Sequence, residues 1–339
     1  MEPGDIIFQV VRPYQRNNLL CEFDNNDVYV ASTGYAQLRA TGSNHFLYQS
    51  IHTDSFVEKV MAKCTGSSYP AINSSELAGI HLPIPSTLPE QQKIAECLSS
   101  VDKLIAAQAR KLAALKNHKK ALMQQLFPRE GESQPRLRFP EFRKAAYWQL
   151  KKIGSMLVET QRPIELADEA DYRLVTVKRR YGGVVSRGIM KGREIQVKSQ
   201  FTVLPGDFLI SKRQIVHNAC GLVPRELNGS VVSNEYSVLT PTDDCAIDFF
   251  SWFAMQPVVS LSFMNCSVGI VIEKMLFKLP AWLKQEFLFP SLAEQKKIAD
   301  CLRSLDELIA AHVRKLGALK THKEGLMQQL FPAPSNVEA

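Results

Sequence analysis

Glu90–Pro128 reads EQQKIAECLSSVDKLIAAQARKLAALKNHKKALMQQLFP, and Glu294–Pro332 reads EQKKIADCLRSLDELIAAHVRKLGALKTHKEGLMQQLFP. Each stretch has 39 residues, and 28 positions are identical without a gap. The offset of 204 residues is the scale of a duplicated domain, not of a solenoid. In the first stretch Ile94, Leu98, Val101, Ile105, Gln108, Leu112, Leu115, Lys119, Leu122 and Leu126 follow alternating steps of four and three. Ile298, Leu302, Leu305, Ile309, His312, Leu316, Leu319, Lys323, Leu326 and Leu330 repeat the pattern. Such a seam predicts two long helices packed as a coiled coil.

The flanks agree with helices. Both stretches open on a capping-box pattern, Thr87-Leu88-Pro89-Glu90 and Ser291-Leu292-Ala293-Glu294, and both stop at a proline, Pro128 and Pro332. About 40 helical residues span roughly 60 Å. Connectivity predicts the direction. The first helix delivers the chain to a second globular segment, and the second helix starts where that segment ends, so packing along the first requires running back. A parallel pair would set Lys119 against Lys323. An antiparallel pair with Ile94 opposite Leu330 sets Lys119 beside Leu305 and Asp306, and Lys323 beside Val101 and Asp102. Gln108 and His312 then face Leu316 and Leu112 as tolerated polar seam positions, and no metal site is expected there.

With 339 residues, and roughly 100–200 residues per domain, two or three units are expected. A content of 45% hydrophobic and 22% charged residues excludes wholesale disorder. No run of about 18 apolar residues occurs and the N-terminus has no leader pattern, so a soluble, cytoplasmic protein without a membrane partner is expected. Seven scattered cysteines with no C-x-x-C argue against a disulfide framework or zinc ribbon. Also absent are G-x-x-x-x-G-K-[ST], H-E-x-x-H, G-x-S-x-G and the Gly-rich and Asn/Asp-Pro-Pro-aromatic motifs of methyltransferases. No catalytic residue is assigned, and the chain is read as non-catalytic.

The expected organisation is an α+β fold: β-rich globular domains joined by two long antiparallel coiled-coil helices. The segments are a partial domain at 1–86, helix one at 87–128, a linker at 129–145, a complete domain at 146–290, helix two at 291–332 and a tail at 333–339. Within the complete domain, Leu174–Val177, Phe208–Ile210, Val231–Val232, Tyr236–Leu239 and Ile270–Ile272 read as short strands. Asp248–Met264 reads as helix, interrupted near Pro257. Pro3-Gly4-Asp5-Ile6-Ile7 matches Pro205-Gly206-Asp207-Phe208-Leu209 at an offset of 202, which places the counterpart of Trp148 about 54 positions before Met1. Residues 1–86 are therefore read as lacking strands that would cover their apolar face.

Charge is uneven. The whole chain carries +7 with a pI near 9.0, which permits a polyanionic partner. Residues 173–213 hold ten Lys or Arg against Glu194 and Asp207, a net +8. Candidate DNA contacts are Lys178, Arg179, Arg180, Tyr181, Arg187, Lys191, Arg193, Lys198, Lys212 and Arg213, with His217 and Asn218 equally compatible with turn or core roles. A solvated basic face without a partner is the plainer alternative. Residues 1–86 carry a net −3.

The two EQ-x-KIA-x-CL…LMQQLFP helices, together with Pro135-Arg-Leu-Arg-Phe-Pro-Glu-Phe142 and Trp148, resemble the specificity (S) subunit of type I restriction–modification enzymes over nearly the whole chain. The resemblance implies two target recognition domains, each reading half of a split duplex DNA site, with the helices setting the gap. It implies two docked methyltransferase subunits that carry S-adenosylmethionine, and motor or restriction subunits that can join them. This chain would bind no cofactor or metal itself. With a short first domain, a homodimer reading a palindromic split site is one expectation, and a structural adaptor or decoy occupying methyltransferase subunits is the alternative.

Overall fold

The computed structural model describes residues 1–23, 27 and 29–331. The proline stop at Pro332 and the tail at 333–339 lie outside the described residues. The chain divides into two compact units, Met1–Ala114 with Ile309–Ala339, and Leu115–Leu308.

The first unit opens on β1 (Ile6–Gln9), β2 (Leu19–Leu20) and β3 (Tyr35–Leu38), an antiparallel sheet of order β2-β1-β3. Three helices follow, α1 (Asn44–Ser50), α2 (Asp54–Lys63) and α3 (Ser74–Ala78). Each has a side-chain cap, from Ser43, Thr53 and Asn73, which takes up an orphan amide of the first turn. Then α4 (Leu88–Leu126) begins. Ile6, Ile7 and Phe8 in the central strand are only 0%, 5% and 1% exposed, while on the Ile7 face the edge residues Leu19 and Tyr35 stay 58% and 38% exposed. β2 and β3 occupy both edges of β1, and Ile51, Phe56, Val60 and Leu77 pack with Ile6 and Phe8 in one core.

The second unit holds β4 (Gln149–Lys152), α5 (Ile153–Met156), β5 (Leu157–Glu159), β6 (Pro163–Ile164), β7 (Asp171–Val177), β8 (Val184–Lys191), β9 (Gln200–Thr202), β10 (Phe208–Ser211), β11 (Cys220–Leu222), β12 (Val231–Ser233) and β13 (Tyr236–Pro241). It continues with α6 (Ile247–Phe253), α7 (Pro257–Asn265), β14 (Ser267–Val268), β15 (Leu276–Phe277), α8 (Leu279–Trp282), β16 (Glu286–Phe289) and α9 (Leu292–Leu330), whose later part belongs to the first unit. One sheet has the order β11-β10-β13-β5, and a second has β6-β9-β12-β7-β8. Side chains alternate along β10. Leu209 joins Val175, Val177, Val232 and Val238 in a core drawn from both sheets, whereas Phe208 and Ile210 join the helical core of Leu126, Trp148, Phe249, Phe250, Trp282 and Leu302.

Four of the five expected strands lie within β7, β10, β12 and β13, and the interrupted helix is α6 followed by α7. Ile270–Ile272 is not a strand. It is the exposed tip of the β14–β15 hairpin, because a β-branched run makes a strand only where a partner edge accepts it.

The duplication is visible element by element. β1, the 3-10 turn Pro13–Gln15 and the order β2-β1-β3 match β10, the 3-10 turn Ile215–His217 and β11-β10-β13. Asp5 and Asp207 are both buried, and each carboxylate accepts an amide of its own turn, Glu2 at 2.6 Å and Leu204 at 2.7 Å. The countercharge differs: Arg39 serves Asp5 at 2.6 Å, and Arg162 serves Asp207 at 2.7 Å. Burial alone would raise the Asp5 carboxyl, but the Glu2 amide and Arg39 outweigh it and hold it below the usual range.

In both units the seam side chains face inward while most intervening positions are exposed. In the first unit Lys323 Nζ lies 2.7 Å from Asp102, whose carboxylate also accepts from Gln49, and Gln108 Nε2 meets His312. A rising residue number on one helix thus meets a falling one on the other, which is antiparallel pairing. In the second unit Lys119 Nζ lies 2.5 Å from Asp306, with the ammonium 4.1 Å from the Trp252 ring centre. The expected pairing does not anticipate the partner that the Gln108 side chain reaches. Its amide donates to His312 Nδ1 and to the His312 carbonyl at 3.1 Å, so the two polar seam residues satisfy each other.

The capping-box reading needs one correction. The Ser291 hydroxyl does accept the Glu294 amide, at 3.4 Å. The Glu294 carboxylate, however, turns inward to Arg138, with contacts of 2.9 and 2.6 Å, and to Trp148 Nε1 at 3.3 Å. Both partners of this fork are nearly enclosed, and it pins the linker against the start of α9. Glu90, 204 positions earlier, is exposed. Arg138→Ala leaves a buried carboxylate unpaired and is expected to cost about 3–5 kcal/mol. Glu90→Gln is expected to change stability by less than about 0.5 kcal/mol. Urea unfolding of both variants tests the contrast, and equal effects would remove it.

Candidate nucleic-acid interface

The turn between β7 and β8 reads Lys178-Arg179-Arg180-Tyr181-Gly182-Gly183. Arg180 and Tyr181 are left-handed, at φ 56° and 55°, a conformation costly for residues with a Cβ. Two backbone hydrogen bonds hold them, from Arg180 N–H to the His217 carbonyl at 2.8 Å and from Tyr181 N–H to the Asn218 carbonyl at 2.9 Å. A Cβ on Gly182 would meet that of Lys178 at 2.7 Å, so glycine is required where the turn closes.

The turn rests on a second loop, the 3-10 segment Ile215–His217 with Asn218 left-handed at φ 58°. Ile215 is fully buried and roots it. Arg179 Nε donates to Gln214 Oε1 at 2.8 Å, and Ser260 on α7 donates to Asn218 Oδ1 at 2.8 Å. Lys212 donates through Nζ to the Asn234 carbonyl at 2.9 Å, and Arg213 pairs with Glu235 at 2.7 Å. The Phe277 amide donates to the Lys212 carbonyl at 2.9 Å, which ties the β14–β15 hairpin to the same place.

The fold thus brings Lys178, Arg179, Arg180, Tyr181, Lys212, Arg213, His217 and Asn218 to one end of the domain. It sends the rest of the basic stretch elsewhere. Lys191 pairs in register with Asp171, at the far end of the β7–β8 ladder from Val177 and Val184, about 20 Å along the strands. There Glu169 takes Arg193 at 2.5 Å and Lys191 at 3.8 Å, and Lys198 donates to the Gly192 carbonyl at 2.8 Å. Arg187 is exposed between the two ends. The run of charge in sequence becomes two clusters in space, and only the turn-end cluster keeps its three leading cations, Lys178, Arg179 and Arg180, free of an ion pair among the described residues.

The sequence reading takes Ile270–Ile272 for a strand and assigns no site role to this hairpin tip, to Val268, or to the matching loops of the first unit. There Arg12 and Arg16 are both left-handed at φ 54°, and the Arg12 guanidinium lies 4.2 Å from the Tyr69 ring centre. Their signal was the 202 offset, which aligns Arg16 with Asn218.

Burial pushes the Tyr181 phenol up, with Ser260 partly opposing. Burial also pushes the Cys220 thiol up, and that of Cys245 up to about 12, so neither supplies a thiolate near neutral pH. Among the described residues, no group of three His, Cys, Asp or Glu side chains is placed to hold a metal. No single described helix is long and apolar enough to cross a membrane. The turn-end cluster presents exposed Lys178, Arg179 and Arg180 beside the side-chain amides of Gln214 and Asn218.

A family model described as the type I restriction modification DNA specificity domain matches residues 21–117. No curated relative matches. Among solved structures, the chain is similar to the HsdS subunit from Thermoanaerobacter tengcongensis, with 20% identity, 99% of this chain and 82% of that one covered and a TM-score of 0.50. It is similar to a chain from a study of complex assembly and conformational transition of the type I R-M system, with 18% identity, coverage of 98% and 82% and a TM-score of 0.54. It is also similar to the type I restriction–modification S subunit from M. genitalium, with 14% identity, coverage of 98% and 84% and a TM-score of 0.61. Residues 21–117 therefore match the type I DNA specificity domain model, and nearly the whole length of the chain has a fold similar to these solved structures.

Thiol labelling checks the burial behind this site. At pH 8 a thiol with a raised pKa stays protonated, so Cys220 and Cys245 are expected to react with a disulfide reagent only after unfolding, while exposed Cys97 reacts in the native protein. Peptide mapping that finds Cys220 labelled natively would contradict the packing beneath the turn.

Proposed function

We propose that this chain, whose residues 21–117 match a type I specificity-domain model and whose fold is similar to that of S subunits, is the DNA-reading and assembly subunit of a type I restriction–modification complex. It would direct two methyltransferase subunits, and restriction subunits that join them, to a split DNA site in the cytoplasm. The chain itself would be non-catalytic, with S-adenosylmethionine carried by the methyltransferase subunits. The observation that carries this reading is the turn-end cluster, where Lys178, Arg179 and Arg180 stand exposed on a turn held by Gln214, His217 and Asn218. Cations at a loop tip suit phosphates, and fixed amides beside them suit base edges. The outer-face residues Ala106, Ala107, Ala310 and Ala311, together with the linker around Phe139–Phe142, suit docking of the methyltransferase subunits, because small exposed residues let a helix approach closely.

A second reading has one observation in its favour. Among the described residues, 1–86 hold no counterpart of the β6-β9-β12-β7-β8 sheet, and this segment carries net negative charge. If that unit reads no DNA, two copies of the chain could pair and read a palindromic split site, or the chain could act as a decoy that occupies methyltransferase subunits.

Salt dependence tests the reading. With about six phosphate contacts, log K for a mixed-sequence duplex is expected to fall with log salt at a slope of about −5. Lys178→Ala, Arg179→Ala and Arg180→Ala together are expected to flatten it by about two to three. Lys191→Ala, Arg193→Ala and Lys198→Ala together are expected to change it little, because those side chains already have protein partners. Equal effects of the two triple variants would show that the turn end is not the phosphate-binding face, and an absence of duplex binding would favour the decoy.

A further inference from the structure

The β14–β15 hairpin exposes aliphatic side chains where a strand was expected. Ile270 is 104% exposed, Val268 62%, and Val271 and Ile272 48% each. Its stem is firmly held. Phe277 is 3% exposed, with ring centres 6.0 Å from Phe263 and 5.8 Å from Trp282. Ser267 Oγ donates to the Phe263 carbonyl at 2.7 Å, and the Lys278 amide to the Cys266 carbonyl at 2.8 Å. At the neck, a Cβ on Gly269 would fall 2.9 Å from the Met275 Cα, so only glycine lets the two arms close. A rigid neck therefore presents an apolar tip.

The surroundings are cationic. The stem bonds to the Lys212 carbonyl, and Arg179 and Arg180 stand free of an ion pair among the described residues on the turn that shares this end of the domain, whereas Arg213 is paired with Glu235. Glu273 and Lys274 in the tip cancel, so the positive charge comes from its base. The first unit repeats the combination in other residues. There the loop closed by the Thr65–Ala71 bridge exposes Tyr69 at 65%, beneath the Arg12 guanidinium. Both copies thus expose a bulky apolar group on this loop, whose stem in the second copy is bonded to the Lys212 carbonyl.

We infer that the tip of residues 268–272 is a wedge that presses between neighbouring base pairs of the duplex and unstacks them. The inference rests on the DNA-reading proposal above. Duplex DNA is the occupant because a polyanion answers the unpaired cations Arg179 and Arg180 near the base, and a base stack offers an apolar surface for the exposed tip. Apolar side chains inserted at a base step kink DNA and let more of it reach the protein, so flexible pyrimidine–purine steps would be favoured without a hydrogen bond to their bases.

The test uses the full chain and duplexes selected with it from a random pool, carrying 2-aminopurine at successive positions. Binding of the unaltered chain is expected to raise fluorescence several-fold at one step. Ile270→Ser with Val271→Ser is expected to abolish the rise and leave the salt slope unchanged, since no phosphate contact is removed. Ile270→Leu is expected to keep the rise. A Ser variant that binds with the full rise, or an unaltered chain that binds with no rise at any position, overturns the wedge and leaves DNA reading intact. Failure to select or bind any duplex overturns both.

Discussion

The antiparallel pairing of α4 and α9 is the constraint from which the rest follows. Each unit is gripped by the start of one helix and the end of the other. In the first unit Gln91 Oε1 accepts the Ser43 amide and Nε2 donates to the Pro85 carbonyl, while Phe331, at the end of the second helix, lies 5.4 Å from Phe46. In the second, Gln295 accepts the Ala246 amide and donates to the Pro290 carbonyl, while Phe127 stacks on Phe249 at 5.5 Å. The same glutamine and phenylalanine do the same work 204 positions apart. A parallel pair could not deliver both helix ends to one unit, so the lysine–aspartate pairs serve register more than stability, at about 0–1 kcal/mol each.

Identical sequence does not give identical environment. Glu90 and Glu294 open the two helices in the same motif, yet one is in water and the other is enclosed by Arg138 and Trp148. The segment that covers Glu294 is the linker, and no described residue of the first unit takes that place at Glu90. Asp5 and Asp207 show the reverse. Their burial is the same, and the countercharge is recruited from different strands, Arg39 next to β3 in one case and Arg162 between β5 and β6 in the other. A buried carboxylate demands a partner, but the chain is free in where it finds one.

Legibility followed the range of the physics involved. The heptad seam and both lysine–aspartate pairs were readable because helical periodicity is local and the repeat supplied the partner helix. The strands β7, β10, β12 and β13 were readable because each is a short apolar run bounded by turns. Ile270–Ile272 has the same local composition and was misread, since whether a β-branched run finds a neighbouring edge is a tertiary question. The Gln108–His312 contact was missed for a related reason: a long amide reaches past the residue directly opposite. The basic stretch was the least legible. A hairpin separates its two arms' ends by the length of the strands, so Lys178 and Lys191, thirteen positions apart in sequence, end in different clusters with different partners.

The duplication shows which parts of such a domain are structural and which are free to vary. Both copies keep the Pro-Gly-Asp turn, the central strand, the 3-10 turn closed by a left-handed residue and the helix-start glutamine. These bury backbone or charge, and a substitution there leaves a group unsatisfied. The loops beyond them carry the differences. Arg12, Arg16 and Tyr69 occupy one copy, whereas Gln214, Asn218 and Ile270–Ile272 occupy the other. The left-handed turn is indifferent to which of these side chains it holds up, because its backbone bonds and its buried root bear the strain. A scaffold of that kind can change what its tips touch without changing what holds them, which is the physical requirement for a fold that must present different contacts from the same frame.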